Sequence, residues 1–263
     1  MSYSRPVALV TGAGRGLGAA IARFLGSRGY DIALHYWDGQ DGANRLSKEL
    51  TETGARCLVL HGDLTQPALA ADLVERTLEE FKQIDALVNN AGVTIAGSFL
   101  TMPLQNIEHS YAINFRAPYL MAQSVAKAMV ERGAPGSIVH ITSVHQERVT
   151  DRDSVYGAMK SALARVTESM AYELGPYGIR VNAVAPGRIL LPEHRTAEPD
   201  AFERQVHSAI SLARSGAAEE VAQAVAWLLS PGASYVTGVT LRVDGGLNLP
   251  MNRAMIDQHL TFI

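Results

Sequence analysis

The chain has a single cysteine, Cys57, among 263 residues. One thiol excludes an internal disulfide and any metal site built from several cysteines. The eight histidines are scattered, with no H-E-x-x-H or comparable ligand spacing, so no catalytic metal is expected. No apolar run approaches the length of a membrane span, so no membrane partner is expected. Charge is balanced, with 23 Lys and Arg against 26 Asp and Glu, a formal net charge of -3. A nucleic-acid binder usually carries a strong basic patch, so nucleic acid is not an expected partner. Met1 to Pro6 lead almost at once into an apolar segment, leaving no room for a signal peptide. A cytoplasmic location is the expectation that follows. There is no internal repeat, low-complexity tract or linker, which favours one domain over residues 1–263.

The material for a core is ample, at 47% hydrophobic residues. Short apolar runs alternate with helical spacings along the chain. Strands are expected at Val7–Val10, Ile32–Tyr36, Cys57–Leu60, Asp85–Val88, Ser137–Ile141, Ile179–Val184 and Val239–Val243. Helices are expected from Ala19, then over Asp41–Thr53, Pro67–Phe81, Leu104–Arg132 with some interruption, Val155–Leu174 and Ala217–Leu229. Such alternation implies a parallel sheet of seven strands with helices on both faces. Pro186 to Ser215 is the one long stretch without a clear pattern. Its position after the sixth strand suggests a substrate lid over about 188–215. The tail 248–263 is the other irregular segment.

Two local patterns carry chemistry. The first is Val7 to Val10, followed by Thr11-Gly12-Ala13-Gly14-Arg15-Gly16-Leu17-Gly18 and a helical run. A strand, a glycine turn and a helix N-terminus make a cradle for a pyrophosphate, because glycine lets the backbone bend and approach closely. The second is Ser143 with Tyr156 and Lys160. Four residues apart, Tyr156 and Lys160 share a helix face. A free tyrosine has a pKa of ~10 and is a poor catalyst at neutral pH. An adjacent ammonium favours the phenolate, so Lys160 is expected to lower the pKa of Tyr156, helped by a cationic nicotinamide ring. Ser143 is suited to polarise a carbonyl by hydrogen bonding.

The spacing T-G-x-x-x-G-x-G, the Ser143 to Tyr156 separation and Y-x-x-x-K together resemble the short-chain dehydrogenase/reductase family. Asn89-Asn90-Ala91-Gly92, Asn114 in Ile113-Asn114-Phe115, Asp63 and Pro186-Gly187 fit the same resemblance, which runs over about residues 5 to 247. It implies a doubly wound Rossmann fold and an NAD(P)(H)-dependent oxidoreductase that interconverts a small-molecule carbonyl and a secondary alcohol. It also implies a catalytic set of Asn114, Ser143, Tyr156 and Lys160, with Asn114 positioning Lys160 through a water. Cofactor contacts are implied for Gly12, Gly14, Arg15, Gly16, Leu17, Gly18, Tyr36, Asp63, Leu64, Asn90, Ala91 and Gly92. Tyr156, Lys160, Pro186, Gly187 and Ile189 complete that set. Substrate contacts are implied for Ser143, His145 and Tyr156.

The sequence also departs from the family's pattern. Arg188-Ile189-Leu190-Leu191-Pro192 lacks the threonine that often follows P-G, leaving the backbone of Ile189 as a substitute. Tyr36 stands where NAD-preferring members have an acid, and Arg15 resembles the basic residue of NADP-dependent ones. Asp38 argues the other way, as an acid that repels a phosphate or takes over the ribose contact, and Trp37 is suited to stack on adenine. NADP(H) is therefore favoured, with NAD(H) as the alternative. The overall frame resembles 3-oxoacyl carrier-protein reductases, whereas Ser143-Val144-His145 resembles glucose dehydrogenases and points to sugars or polyols. Leu34-His35-Tyr36 is similar to pteridine reductases, which usually have aspartate in place of the serine. The alternative of another class is a dinucleotide-binding regulator without catalysis, whose mark would be loss of Tyr156 or Lys160. A homotetramer is expected from the apolar Ala158, Ala162, Leu163, Val166 and Met170 and from the family's C-terminal assembly surface at Val243-Asp244-Gly245-Gly246.

Overall fold

Each of the four residues Val7 to Val10 is fully buried, so this short run is a strand covered on both faces. It is β1 (Val7–Val10), followed by α1 (Gly16–Ser27), β2 (Asp31–Tyr36), α2 (Gln40–Glu52), β3 (Cys57–His61), α3 (Leu69–Phe81) and β4 (Ala86–Asn89). Next come α4 (Leu104–Tyr111) and α5 (Ala117–Arg132), then β5 (Gly136–Ile141), α6 (Ser154–Leu174) and β6 (Ile179–Pro186). The series closes with β7 (Ile189–Leu190), α7 (Ala201–Ser208), β8 (Gly216–Ala217), α8 (Ala218–Leu229) and β9 (Thr240–Val243). The computed structural model describes residues 5–191 and 201–249. Met1 to Ser4, the middle of the expected lid (192–200) and most of the expected tail (250–263) lie outside the described residues.

Seven strands form one sheet in the order β3-β2-β1-β4-β5-β6-β9, and every neighbouring pair is parallel. The chain moves outward from β1 to β3, then returns to add β4 on the other side of β1. That reversal opens a crevice beyond the C-terminal ends of β1 and β4, where ligands of such sheets bind.

The period-two alternation of strand side chains divides the core into two layers. Ala8 and Val10 face one layer with Ile21 and Leu25 of α1, Leu46 and Leu50 of α2, and Val221, Val225 and Leu228 of α8. Val7 and Leu9 face the other with Leu73 and Phe81 of α3, Met121, Val125 and Met129 of α5, and Ala171 of α6. Both faces of the sheet are therefore covered by helices, as the alternating pattern requires.

The expected helix over Leu104–Arg132 is two α-helices joined by a π-helical turn, Ala112–Arg116. Such turns insert a residue into a helix and frequently mark functional sites. This one carries Asn114. The patternless stretch after Pro186 contains a small two-stranded pairing, with Ile189 opposite Gly216 and Leu190 opposite Ala217, and the helix α7.

Candidate active site

β1 ends in Thr11, and the turn that follows is held from three sides. The Thr11 hydroxyl oxygen accepts from the backbone N–H groups of Asn90 (3.0 Å) and Ala91 (3.1 Å), joining the ends of β1 and β4. The Asn90 side-chain amide donates to the carbonyls of Thr11 (3.0 Å) and Gly12 (3.1 Å). His35 Nδ1 accepts from the Gly12 N–H at 3.3 Å, which leaves the ring proton on Nε2 to meet the Gly62 carbonyl at 2.9 Å. Burial holds the pKa of His35 below its ordinary value, in keeping with this neutral role. Gly12 and Gly16 have φ of 65° and 57°, which glycine adopts without strain. A Cβ on Gly18 would come within 2.2 Å of the Gly12 carbonyl oxygen, so α1 starts directly against the turn. The first turn of α1 holds no acidic residue, and its free N–H groups face the crevice end.

A crevice of about 580 Å³ lies over this turn, lined by Gly12, Gly14, Arg15, Tyr36, Asp63 and Leu64, among others. It shares Asn90, Gly92 and Val93 with a hollow of about 220 Å³ lined by Leu17, Ser143, Tyr156, Lys160, Pro186 and Gly187. The two expected constellations thus meet across the sheet reversal. Glycine cradle, helix N-terminus and crevice together fit a dinucleotide with its phosphates at α1 and its far end beside Tyr156.

Several expected contacts are arranged differently from their reading in the sequence. Asn90 braces the glycine turn with its amide. Asp63 accepts from the backbone N–H (2.9 Å) and hydroxyl (2.7 Å) of Thr65. Burial pushes its carboxyl up, but these bonds, Gln66 and nearby His109 outweigh it and hold the pKa below the usual value. Trp37 stacks on His61, with ring centroids 5.3 Å apart. Tyr36 is buried at 7% exposure. Arg15 and Asp38, which pull in opposite directions as cofactor selectors, are ion-paired at 2.9 Å on the crevice rim. The Ile189 side chain packs against the first core layer.

At the other end of the site, Ser143 follows β5 and Tyr156 and Lys160 project from α6. The Ser143 oxygen accepts from the His145 N–H at 3.2 Å, which leaves its proton to donate. Tyr156 lines the same hollow as Ser143 and Thr94, whose side chains favour its charged form. Lys160 is fully enclosed and donates to the Ile141 carbonyl at 2.8 Å, with its ammonium 5.6 Å from the Tyr156 ring centre. A Cβ on Gly92 would approach Asn114 Oδ1 to 2.8 Å and Lys160 Nζ to 3.3 Å, so both amide and ammonium close on this glycine. Asn114 exchanges hydrogen bonds with the Val93 backbone and also donates to Ser110 Oγ.

The expected lowering of the Tyr156 pKa by Lys160 is corrected here. Burial raises the phenol above 10, Ser143 and Thr94 oppose the rise, and Asp153 adds to it. Burial also pushes Lys160 down to about 8. Two groups enclosed together each resist their charged form, and that desolvation prevails in the bare site. Thr94 and Asp153, which stand beside Tyr156 and His145, are not singled out in the sequence, and the bracing contacts of Thr11 and His35 are not expected there. Thr11 precedes Gly12 in the quoted motif, whereas the others carry no local pattern.

The crevice and the enclosed Tyr–Lys pair define a dinucleotide-binding enzyme. The family model described as enoyl-(acyl carrier protein) reductase matches residues 12–248. A relative named uncharacterized oxidoreductase YohF, from Escherichia coli (strain K12), is 36% identical over 243 residues, covering 92% of this chain and 96% of that one. L-rhamnose 1-dehydrogenase (NAD(P)(+)) of Sphingomonas sp. (strain SKA58) is 35% identical over 240 residues, covering 91% and 94%. The crystal structure of acetoin dehydrogenase from Enterobacter cloacae superposes with a TM-score of 0.89 at 37% identity, covering 95% of this chain and 98% of that chain. The chain belongs to the short-chain dehydrogenase/reductase family. It is an NAD(P)-dependent oxidoreductase acting between a carbonyl and an alcohol. No helix among the described residues is long and apolar enough to cross a membrane.

Proposed function

We propose that the protein prefers NADP(H) and that Tyr156 is the acid–base group for a small-molecule carbonyl and its secondary alcohol. The observation that carries this reading is that Ser143, Tyr156 and Lys160 line one hollow, which continues the dinucleotide crevice. The nicotinamide, when bound, exchanges hydride with the substrate carbon. Ser143 donates its free proton to the carbonyl oxygen and polarises it. Tyr156, protonated at neutral pH as any phenol is, delivers its proton to that oxygen as charge builds there, and in reverse takes it back. Lys160, anchored by the Ile141 carbonyl, supplies positive charge behind the phenol and holds the nicotinamide ribose. Asn114 is a positioning residue that fixes the wall at Gly92 against which Lys160 rests.

The cofactor preference rests on Arg15 and on the lack of an acid at Tyr36. A 2′-phosphate competes with Asp38 for the Arg15 guanidinium, which is suited to bidentate phosphate binding. The expected result is a higher kcat/KM with NADPH than with NADH. Arg15→Ala is expected to cost about 1.5–3 kcal/mol with NADPH and little with NADH. Asp38→Ala is expected to release Arg15 and raise the preference for NADPH further. A wild type that prefers NADH, with the preference abolished in Asp38→Ala, would make Asp38 the selector and overturn this reading.

We also propose a homotetramer. Leu163 is buried in the fold and leaves the set of spare apolar residues, while Ala158 is exposed and Ala162, Val166 and Met170 are half-buried. A groove of about 320 Å³ runs between α5 and α6, flanked by Tyr119, Val130, Met170 and Leu174. Among the described residues β9 pairs only with β6 and forms a sheet edge. Paired α5–α6 faces and paired β9 edges are two separate two-fold contacts, which generate a tetramer. Light scattering at micromolar concentration is expected to give four times the chain mass, and a monomer mass would refute the assembly. The lid over 188–215 and the tail 248–263 are proposed to shape the substrate pocket.

A further inference from the structure

Asp153 occupies the N-cap position of α6, yet its side chain makes no capping hydrogen bond. Its carboxylate is 8% exposed and turns toward His145, with Oδ2 at 2.8 Å from Nδ1. The oxygen approaches off the line of the ring N–H, so the contact is an electrostatic one, and Oδ1 is buried without a partner. The backbone is arranged around this pair. Arg152 adopts a left-handed φ of 60°, uncommon for a residue with a side chain, and its carbonyl accepts from the Gly97 N–H at 2.9 Å. Gly157 leaves the necessary room, since a Cβ there would lie 2.9 Å from the His145 carbonyl oxygen and 3.2 Å from Asp153 Oδ2.

The imidazole sits edge-on to Tyr156, with ring centroids 5.8 Å apart. It is also part of the wall of a cavity of about 600 Å³, beside Gly97, Phe99, Val149 and Arg152. From these observations we infer that Asp153 is a positioning residue that fixes the proton of His145 on Nδ1, leaving Nε2 to accept a hydrogen bond from a hydroxyl on the carbon next to the substrate carbonyl. A carboxylate oxygen at that distance holds the proton on the nitrogen facing it, and the opposite nitrogen then has a lone pair. The preferred substrates are α-hydroxy ketones and, in reverse, vicinal diols or sugars. This inference rests on Tyr156 and Ser143 as the site of the carbonyl.

The test compares matched probes, 3-hydroxy-2-butanone against 2-butanone, under the same NADPH concentration. The readout is the ratio of their kcat/KM values. Wild type is expected to favour the hydroxylated ketone by about tenfold or more, as for one well-placed hydrogen bond. His145→Ala is expected to bring the ratio near one. Asp153→Leu, which removes both oxygens, is expected to do the same, and Asp153→Asn to lower the ratio in part. In a His145→Ala background, neither Asp153 substitution should move the ratio further. A purely structural role for Asp153 would instead depress both ketones together and leave the ratio unchanged, which would overturn the inference. So would a wild-type ratio near one with good turnover of both ketones, an outcome that leaves the oxidoreductase reading intact. Failure of wild type to reduce either ketone, or any other carbonyl offered with either cofactor, would end both.

Discussion

Tyr156→Phe is expected to bind NADPH as wild type does and to lose most of its turnover. The phenylalanine ring fills the same space beside Lys160, so the fold and the dinucleotide crevice are retained. What disappears is the hydroxyl in the hollow it shares with Ser143 and Thr94. One positioned general acid–base group is typically worth ~10²–10⁴-fold in rate. A phenol is protonated at neutral pH, and burial, which raises its pKa further, holds the wild-type group in that form. Carbonyl reduction should therefore proceed well near neutrality, whereas alcohol oxidation should improve as the pH rises toward the phenol's own range. The measurement is kcat in both directions across pH for the two proteins. A folded Tyr156→Phe protein with near-normal turnover would remove Tyr156 from the mechanism.

Lys160→Met is expected to lower turnover by roughly 10²-fold or more, the usual scale for one fixed group that stabilises developing charge. Its effect on stability has the opposite sign at neutral pH. The amine is fully enclosed and its pKa is pushed from 10.5 down to about 8. The folded state thus binds fewer protons than the unfolded chain between these values. Stability contributed by this group rises with pH through that window and is lost below it. Charging it in the folded protein costs roughly 3 kcal/mol in the absence of cofactor. Loss of the bond to Ile141 in the methionine variant offsets part of any gain by about 1–3 kcal/mol. The cleaner quantity is therefore the difference between the two proteins as a function of pH. Wild type should gain on Lys160→Met by roughly 3 kcal/mol between pH 7 and 10.5, read from urea midpoints of cofactor-free protein. Parallel curves would mean that the ammonium is well solvated.

The parts of the site that were legible in the sequence are those encoded locally. The Tyr156–Lys160 pair lies within one helix and the Gly12 to Gly18 turn within one short junction between β1 and α1, so residue spacing reports their geometry. The order of strands and helices was legible for the same reason, since hydrophobic period reports which faces are covered. What escaped is what strands and loops from elsewhere bring to these patterns. Nothing beside His35 says that its ring will span Gly12 and Gly62. Nothing beside Thr94 says that it will line the same hollow as Tyr156. Asp153 carries no local pattern, and only the path of the loop before α6 turns it toward His145. The charge state of Tyr156 escaped as well, because enclosure is a property of the packed protein and local spacing gives no measure of it.

The π-helical turn at Ala112–Arg116 has a consequence for rotational phase. Each residue of an α-helix advances the side chains by ~100°. An extra residue in one turn therefore resets the angular position of everything beyond it by about that amount. With the reset, Asn114 points inward and is fully buried, while Met121, Val125 and Met129 of the next helix all meet the sheet. A regular α-helix over the same residues would aim either the amide or the methionines correctly, but not both. The turn acts as a phase coupler, letting one helical rod aim a polar side chain at the Val93 backbone at one end and pack against the sheet at the other.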